Sequence, residues 1–403
     1  MGEKKHCRKC TDEYTIHCLP YSIHRPGRYC LSKNFAWADN MKSAITIESH
    51  DVILNFNERR ISVSVATTVP VILIQNSQDV IVNNAHIEAI DAAVYAVEGL
   101  DIISSSNITL NSPVSRNLNF ALYTELVDGL TVNKLYLKND LSNVVTSILF
   151  NNSINVKYYD AQVINGRSII RESENVDVQR MQVKNEGRRA IQVDSIVGRG
   201  VFTAPLRIST NIKIADSQFF TTGQFQTVAI VGLPLGATLS NFSYPVRNIT
   251  LENNNIFSRD SAAVLLQYTF GGTFKNNQIY GLVGISVSGE GNLIQNNNVK
   301  AEQPQGEGIL VESPFALPLF SSKHNTVDGN NVSGFAIGYA DRMALGTEAF
   351  CTVFKSNVAV GNTNNFFINT SPPQNSFYAS DNISHCQTLP LFELVHFVVN
   401  REV

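Results

Sequence analysis

The chain has 403 residues, 43% of them hydrophobic and 16% charged, with a formal net charge of -3 at pH 7. So small and balanced a charge leaves no electrostatic footprint for nucleic acid, and no stretch approaches the apolar length of a membrane span. An ordinary globular chain of this length would form two domains, whereas a repeat protein can use it all in one body.

Residues 1 to 36 differ from the rest. Met1-Gly-Glu-Lys-Lys-His6 lacks the apolar run of a secretory signal, so export by that route is not expected. The segment holds Cys7, Cys10, Cys18 and Cys30, with His6, His17 and His24. Cys7-Arg-Lys-Cys10 is half a zinc knuckle without its second Cys-x-x-Cys. A Cys18–Cys30 disulfide is equally allowed in an oxidising compartment, and free thiols are the third alternative. The expected structural role is a cap over the open end of the first coil.

From Ala44 onward two elements alternate. The first is a short apolar run: Ala44 to Ile47, Val71 to Ile74, Ala93 to Val97, Ala121 to Tyr123, Ala190 to Val193, Val228 to Val231, and so on to Phe366–Ile368. The second is a frame of apolar residue, one residue, apolar residue, four mostly polar residues, then Val or Ile. It reads Val80, Val82, Ile87; Leu130, Val132, Leu137; Val176, Val178, Val183; Ile212, Ile214, Phe219; Ile249, Leu251, Ile256. It continues, with small or polar first residues, through Phe274 and Ile279, Ile294 and Val299, Val327 and Val332, Val353 and Val358, to Tyr378 and Ile383. The period without insertions is roughly 20 to 26 residues, which marks a solenoid. Short Val- and Ile-rich runs separated by Asn, Ser and Gly are strands and turns; a leucine-rich repeat would need Leu at fixed positions and a helical segment. The expectation is an all-β parallel β-helix of about 12–13 coils over residues 37–385, with residues 386–403 as a C-terminal cap or oligomer contact.

Asn254, Asn277, Asn297 and Asn330 share one frame position in successive coils. Stacked amides can bond one another and satisfy turn backbone groups, so a ladder is expected here. Leu135 and Met181 break it earlier in the chain. Four insertions, after Val193, Val231, Val311 and Tyr339, leave from the same edge and are expected to wall one side of the solenoid.

Cys18-x4-Ile23-x2-Pro26-Gly27-x-Tyr29-x-Leu31-x2-Asn34-Phe35, then Ala44-Ile-Thr-Ile47 and Asp51-Val-Ile-Leu-Asn-Phe-Asn57, resembles the opening of right-handed parallel β-helix proteins of the pectate-lyase-like superfamily. It is most similar to the branch with periplasmic copper-maturation and carbohydrate-binding or sugar-hydrolase members. The resemblance implies a right-handed helix and leaves the activity open among lyases, hydrolases, epimerases, tailspikes and adhesive proteins. Asn55-Phe-Asn-Glu58 stands where that family often has Asp-Leu-Asn-Gly, and the Asn-x-Asp, Asp-Asp and His-Gly motifs of polygalacturonases are absent.

Outward residues of neighbouring coils lie about 4.8 Å apart. Glu98 and Glu125, placed at the ends of adjacent first strands, with Tyr95, Tyr123, Arg171, Glu172, Arg189 and Asp194, have the composition of a sugar-binding groove. A hydrolase would use Glu125 as acid and Glu98 or Glu172 as base or nucleophile. A lyase would use Arg171 or Arg189 as base. The competing reading is ordinary solvated strand ends. The function expected is a non-enzymatic structural or glycan-binding protein of a virus particle or cell surface, with a polysaccharide hydrolase or lyase as alternative. Basic residues from Arg167 to Arg207 favour an acidic glycan as partner. A homo-oligomer is compatible with the apolar insertions, and no metal or cofactor is expected.

Overall fold

The computed structural model describes residues 14–90, 97–140, 148–195, 208–232, 245–313, 322–343, 351–368 and 376–385. Among these residues there are 43 strands and no helix. The chain divides into two compact units, Met1–Lys184 and Asn185–Val403.

In the first unit a three-strand coil repeats. One coil is Ile72–Gln75, Gln78–Asn83 and His86–Ala89; the next is Glu98–Ile103, Ser106–Asn111 and Val114–Arg116. Each strand pairs in parallel with its counterpart in the neighbouring coil, so equivalent residues form straight rows. Val52, Val80, Ile108, Leu130, Val156 and Val176 make one inward row of second strands, all fully buried. Ile61, Ile87, Ser115, Leu137, Val163 and Val183 make the inward row of third strands. Branched side chains pack well on pleated surfaces, and each one buried contributes about 1.5–3 kcal/mol. Corners form where one residue takes a positive φ: Asn76, Ser104, Leu126, Asn152 and Glu172 follow the first strands, and Asn84, Ser112, Lys134, Asp160 and Arg180 follow the second.

The repeat frame passes over two coils of this unit. Ser115 takes the third slot of one and Tyr158 the second slot of the other, and both are buried. Among the described residues the third strands number 14 in all, slightly more than the 12–13 coils expected. The solenoid also begins earlier than residue 37. Tyr14–Ile16 pairs with Gly27–Leu31, Tyr21–Ile23 with Ile45–Ile47, and Phe35–Trp37 with Ile61–Val63. Cys30 is disulfide-bonded while Cys18 is free and exposed, so the Cys18–Cys30 pair is not formed. Cys7, Cys10, Tyr95, the bulk of all four insertions and residues 386–403 lie outside the described residues.

In the second unit the amide ladder runs from Asn254 through Asn277, Asn297, Asn330 and Asn357 to Asn382. Each Nδ2 donates to the next Oδ1 at 2.9–3.1 Å. The same Nδ2 groups donate to the carbonyls of Ile214, Leu251, Phe274, Ile294 and Val327, and each Oδ1 from Asn277 onward also accepts a backbone N–H. Near the end of the chain the frame slips by one residue. Phe354 pairs with Val327 and Ala359 with Val332, so these two are buried, not Val353 and Val358. In the last coil Tyr378 still pairs with Phe354 but Ser384 pairs with Ala359, so one extra residue in that corner turns Ile383 outward. Val353-Phe354 offers two adjacent apolar residues, and the interior takes the larger; a one-residue shift then turns the next strand over.

Candidate functional site

Along the first strands of the first unit, side chains alternate between core and outer face. The outward residues form two rows. Leu73, Asp101, Tyr123, Leu149 and Ile169 make one, and Gln75, Ile103, Glu125, Asn151 and Arg171 the other. Although they point away from the core, Asp101, Leu149, Asn151 and Ile169 are buried. This face is therefore not an open, solvated row of strand ends.

Asp101 is the residue that the periodic pattern does not reveal. The apolar run Ala93 to Val97 reads as the first strand of this coil, but the strand is Glu98–Ile103. Asp101 then lies in register beside Tyr123. The Tyr123 hydroxyl donates to Glu125 Oε2 at 2.8 Å. Burial, reinforced by the nearby Glu98 carboxylate, pushes Asp101 up to about 8, so it is largely protonated at neutral pH. Burial also raises Glu98, and raises Tyr123 together with its bond to Glu125. An Asp at every-other-residue spacing inside Leu-Asp-Ile-Ile is the available signal, once the strand is placed correctly.

The expected carboxylate pair is not brought together. Glu98 opens its strand opposite Phe120, whereas Glu125 closes its own opposite Ile103. Five residues of register separate them, about 16 Å between Cα positions at strand rise. Glycosidase pairs span about 5–9.5 Å, so these two do not fit that role. Glu125, Asn151 and Arg171 do stand in one row, roughly 4.8 Å per step. Glu172 leaves the strand face: it occupies the following corner with φ of 48° and is buried.

Arg189 and Asp194 belong to the second unit. There the Arg189 guanidinium donates to Gln192 Oε1 at 2.9 Å and to Gln226 Oε1, and Gln192 Nε2 donates to Asp194 Oδ2 at 2.7 Å. Burial lowers Arg189 from its ordinary value, opposed by Asp194. The arrangement is a hydrogen-bonded relay between Gln226 and Asp194, which accounts for both charged residues without a ligand.

A further polar cluster lies on third strands of the first unit. Glu88 Oε1 accepts from Ser62 Oγ at 2.9 Å and pairs with Arg60 at 3.0 Å, with His86 Nε2 at 3.7 Å from Oε2. Burial lowers the His86 pKa more strongly than Glu88 raises it. Among the described residues no group of three or more His, Cys, Asp or Glu is placed to hold a metal ion. No helix among them is long and apolar enough to cross a membrane.

The parallel rows, three strands per coil and corner conformations define a right-handed parallel β-helix. The family described as "Right handed beta helix region" matches residues 236–345. Among solved structures, the chain is similar to the A-module of mannuronan C-5 epimerase AlgE6 from Azotobacter vinelandii, with 12% identity and a TM-score of 0.56, over 89% of this chain and 91% of that one. It is also similar to a double mutant of the tailspike protein of E. coli bacteriophage HK620, with 11% identity and a TM-score of 0.50, over 89% of this chain and 74% of that one. No curated protein matches it in sequence.

Proposed function

We propose that the protein is a glycan-binding β-helix of a virus particle or cell surface, and that its binding face is the outward side of the first strands in the first unit. The observation that carries this reading is the Asp101–Tyr123–Glu125 group: a half-exposed phenol hydrogen-bonded to a half-exposed carboxylate, beside the buried Asp101 carboxyl that burial keeps largely protonated. Such a group offers donors and acceptors together, as sugar hydroxyls require. Arg171, two coils along the row from Glu125, supplies a cation for an acidic sugar. The fold shared with a mannuronan epimerase module and a phage tailspike supports a polysaccharide as the class of partner.

One observation favours a second reading, acid/base chemistry on the bound glycan. A carboxyl kept protonated near pH 7 is the form a general acid needs, and Asp101 is that carboxyl. The test is titration calorimetry with mannuronan and other acidic polysaccharides, with parallel assays for reducing ends and unsaturated products. Binding that weakens at least tenfold in Tyr123→Phe and Arg171→Ala supports the glycan face. Product formation that is lost in Asp101→Asn moves the assignment to an enzyme. No binding to any acidic polysaccharide overturns both.

A further inference from the structure

A second face, on the third strands of the second unit, carries a different chemistry. Its outward residues form an amide row of Gln218, Asn255, Gln278, Asn298 and Asn331. Beside it runs an aromatic row of Phe220, Phe257 and Tyr280, ending at Lys300. The Phe220 and Phe257 rings are parallel within 6°, with centroids 4.7 Å apart. Phe220 is 39% exposed, Phe225 in the adjoining turn 52% and Leu282 after the strip 37%. Inward neighbours Phe219, Ile256 and Ile279 already fill the core, so these outer aromatics are not needed to close it. In the amide row Asn298 Nδ2 donates to Gln278 Oε1 at 2.7 Å, while Asn298 Oδ1 is enclosed and accepts no hydrogen bond among the described residues.

We infer that this strip is a separate binding site for an uncharged, linear polysaccharide lying across the strands. Pyranose rings present apolar C–H faces and a rim of hydroxyls. They are recognised by an aromatic platform with amide donors and acceptors alongside. From Gln218 through Tyr280 neither outward row holds a charged side chain, so nothing here selects an anion. Strands repeat at about 4.8 Å, comparable to one sugar residue of an extended chain, so successive coils can meet successive sugars. A second copy of the protein is the poorer occupant. The exposed apolar side chains amount to no more than a few hundred Å², against about 800 Å² per partner in a stable interface.

The test is titration of the full chain with cellohexaose, xylohexaose and mannohexaose. At least one should bind, with affinity falling tenfold or more in Phe257→Ala and Tyr280→Ala and retained in Phe257→Tyr. Asp101→Asn and Tyr123→Phe should leave that affinity unchanged, and Phe257→Ala should leave mannuronan binding unchanged. The two sites thus fail separately. No binding of any of the three neutral hexasaccharides overturns the inference, as does equal affinity in Phe257→Ala. Concentration-dependent self-association that Phe257→Ala abolishes also overturns it, by giving the strip to a second copy.

Discussion

The two units build the same coil and satisfy its second corner in opposite ways. In the second unit, from Asn254 onward, the corner residue is an inward Asn whose amide bonds the next amide, a strand carbonyl and a backbone N–H. In the first unit the same position holds Ala85, Leu135, Ala161 or Met181, all buried. Its amide ladder stands on the outer face instead: Asn55, Asn83, Asn111 and Asn133, linked Nδ2 to Oδ1 at 2.7–3.0 Å. The backbone corner therefore does not require Asn. What it requires is a core that is either wholly apolar or wholly hydrogen-bonded at that level, because a half-satisfied polar column is costly.

Each unit also holds a buried carboxyl that burial raises well above its ordinary value: Asp101 in the first, and in the second Asp341, which accepts from Ser376 and is raised to about 6. Both are more acidic in an unfolded chain, so each contributes stability that is complete below about pH 4 and is lost as pH rises through its folded value. The largest expected effect is at Asp101. Stability should fall between about pH 4 and 8 by of the order of 5 kcal/mol, at about 1.4 kcal/mol per unit. Asp101→Asn should flatten that slope, while Asp341→Asn should flatten only the part below about pH 6. Urea unfolding midpoints measured across pH 4–8 check both, and a wild-type midpoint that does not fall over this range contradicts the burial argument.

Exchanging the corner chemistry sharpens the comparison next. Asn297→Ala removes the acceptor of two Asn277 bonds and leaves the Phe274 carbonyl without its amide donor, at a cost of about 3 kcal/mol. Leu135→Asn places an unpartnered amide in an apolar column and should cost a similar amount, about 3 kcal/mol. If Leu135→Asn were neutral in the same unfolding measurement, the two corners would be interchangeable.

The outer ladder should matter less, since its amides are only half-buried. Asn111→Ala breaks bonds to Asn83 and Asn133 and is expected to cost about 1 kcal/mol. The smallest effect is at Glu252, whose carboxylate bridges Lys213 at 2.7 Å and Lys275 at 3.1 Å and is held below its ordinary value by them. Both lysines remain partly exposed, so Glu252→Gln should cost about 1 kcal/mol, and less in 1 M salt. A loss that salt does not reduce would show that the pair acts through packing.

Much of the fold was legible in the residues themselves. Side-chain period two, the turn residues and the coil-length repeat follow from local chemistry, so Val80, Val82 and Ile87 declared their inward direction before any neighbour was known. The same holds for the stacked Asn254, Asn277, Asn297 and Asn330, whose shared frame position was enough to foresee their bonds. Register was less secure wherever two apolar residues stood side by side, as at Val353-Phe354, because either could face inward until a lateral neighbour chose. The candidate site depended on register throughout. Glu98 and Glu125 looked like neighbours by coil arithmetic, yet the strand beginning at Glu98 set them five positions apart and put Asp101 beside Tyr123 instead. The aromatic row of Phe220, Phe257 and Tyr280 was equally out of reach, since its members lie 37 and 23 residues apart in sequence and meet only through strand pairing. Periodicity is a property of a segment and can be read from it. Which side chain lies beside which across coils is decided by lateral hydrogen bonding and core packing, and those exist only in the folded chain.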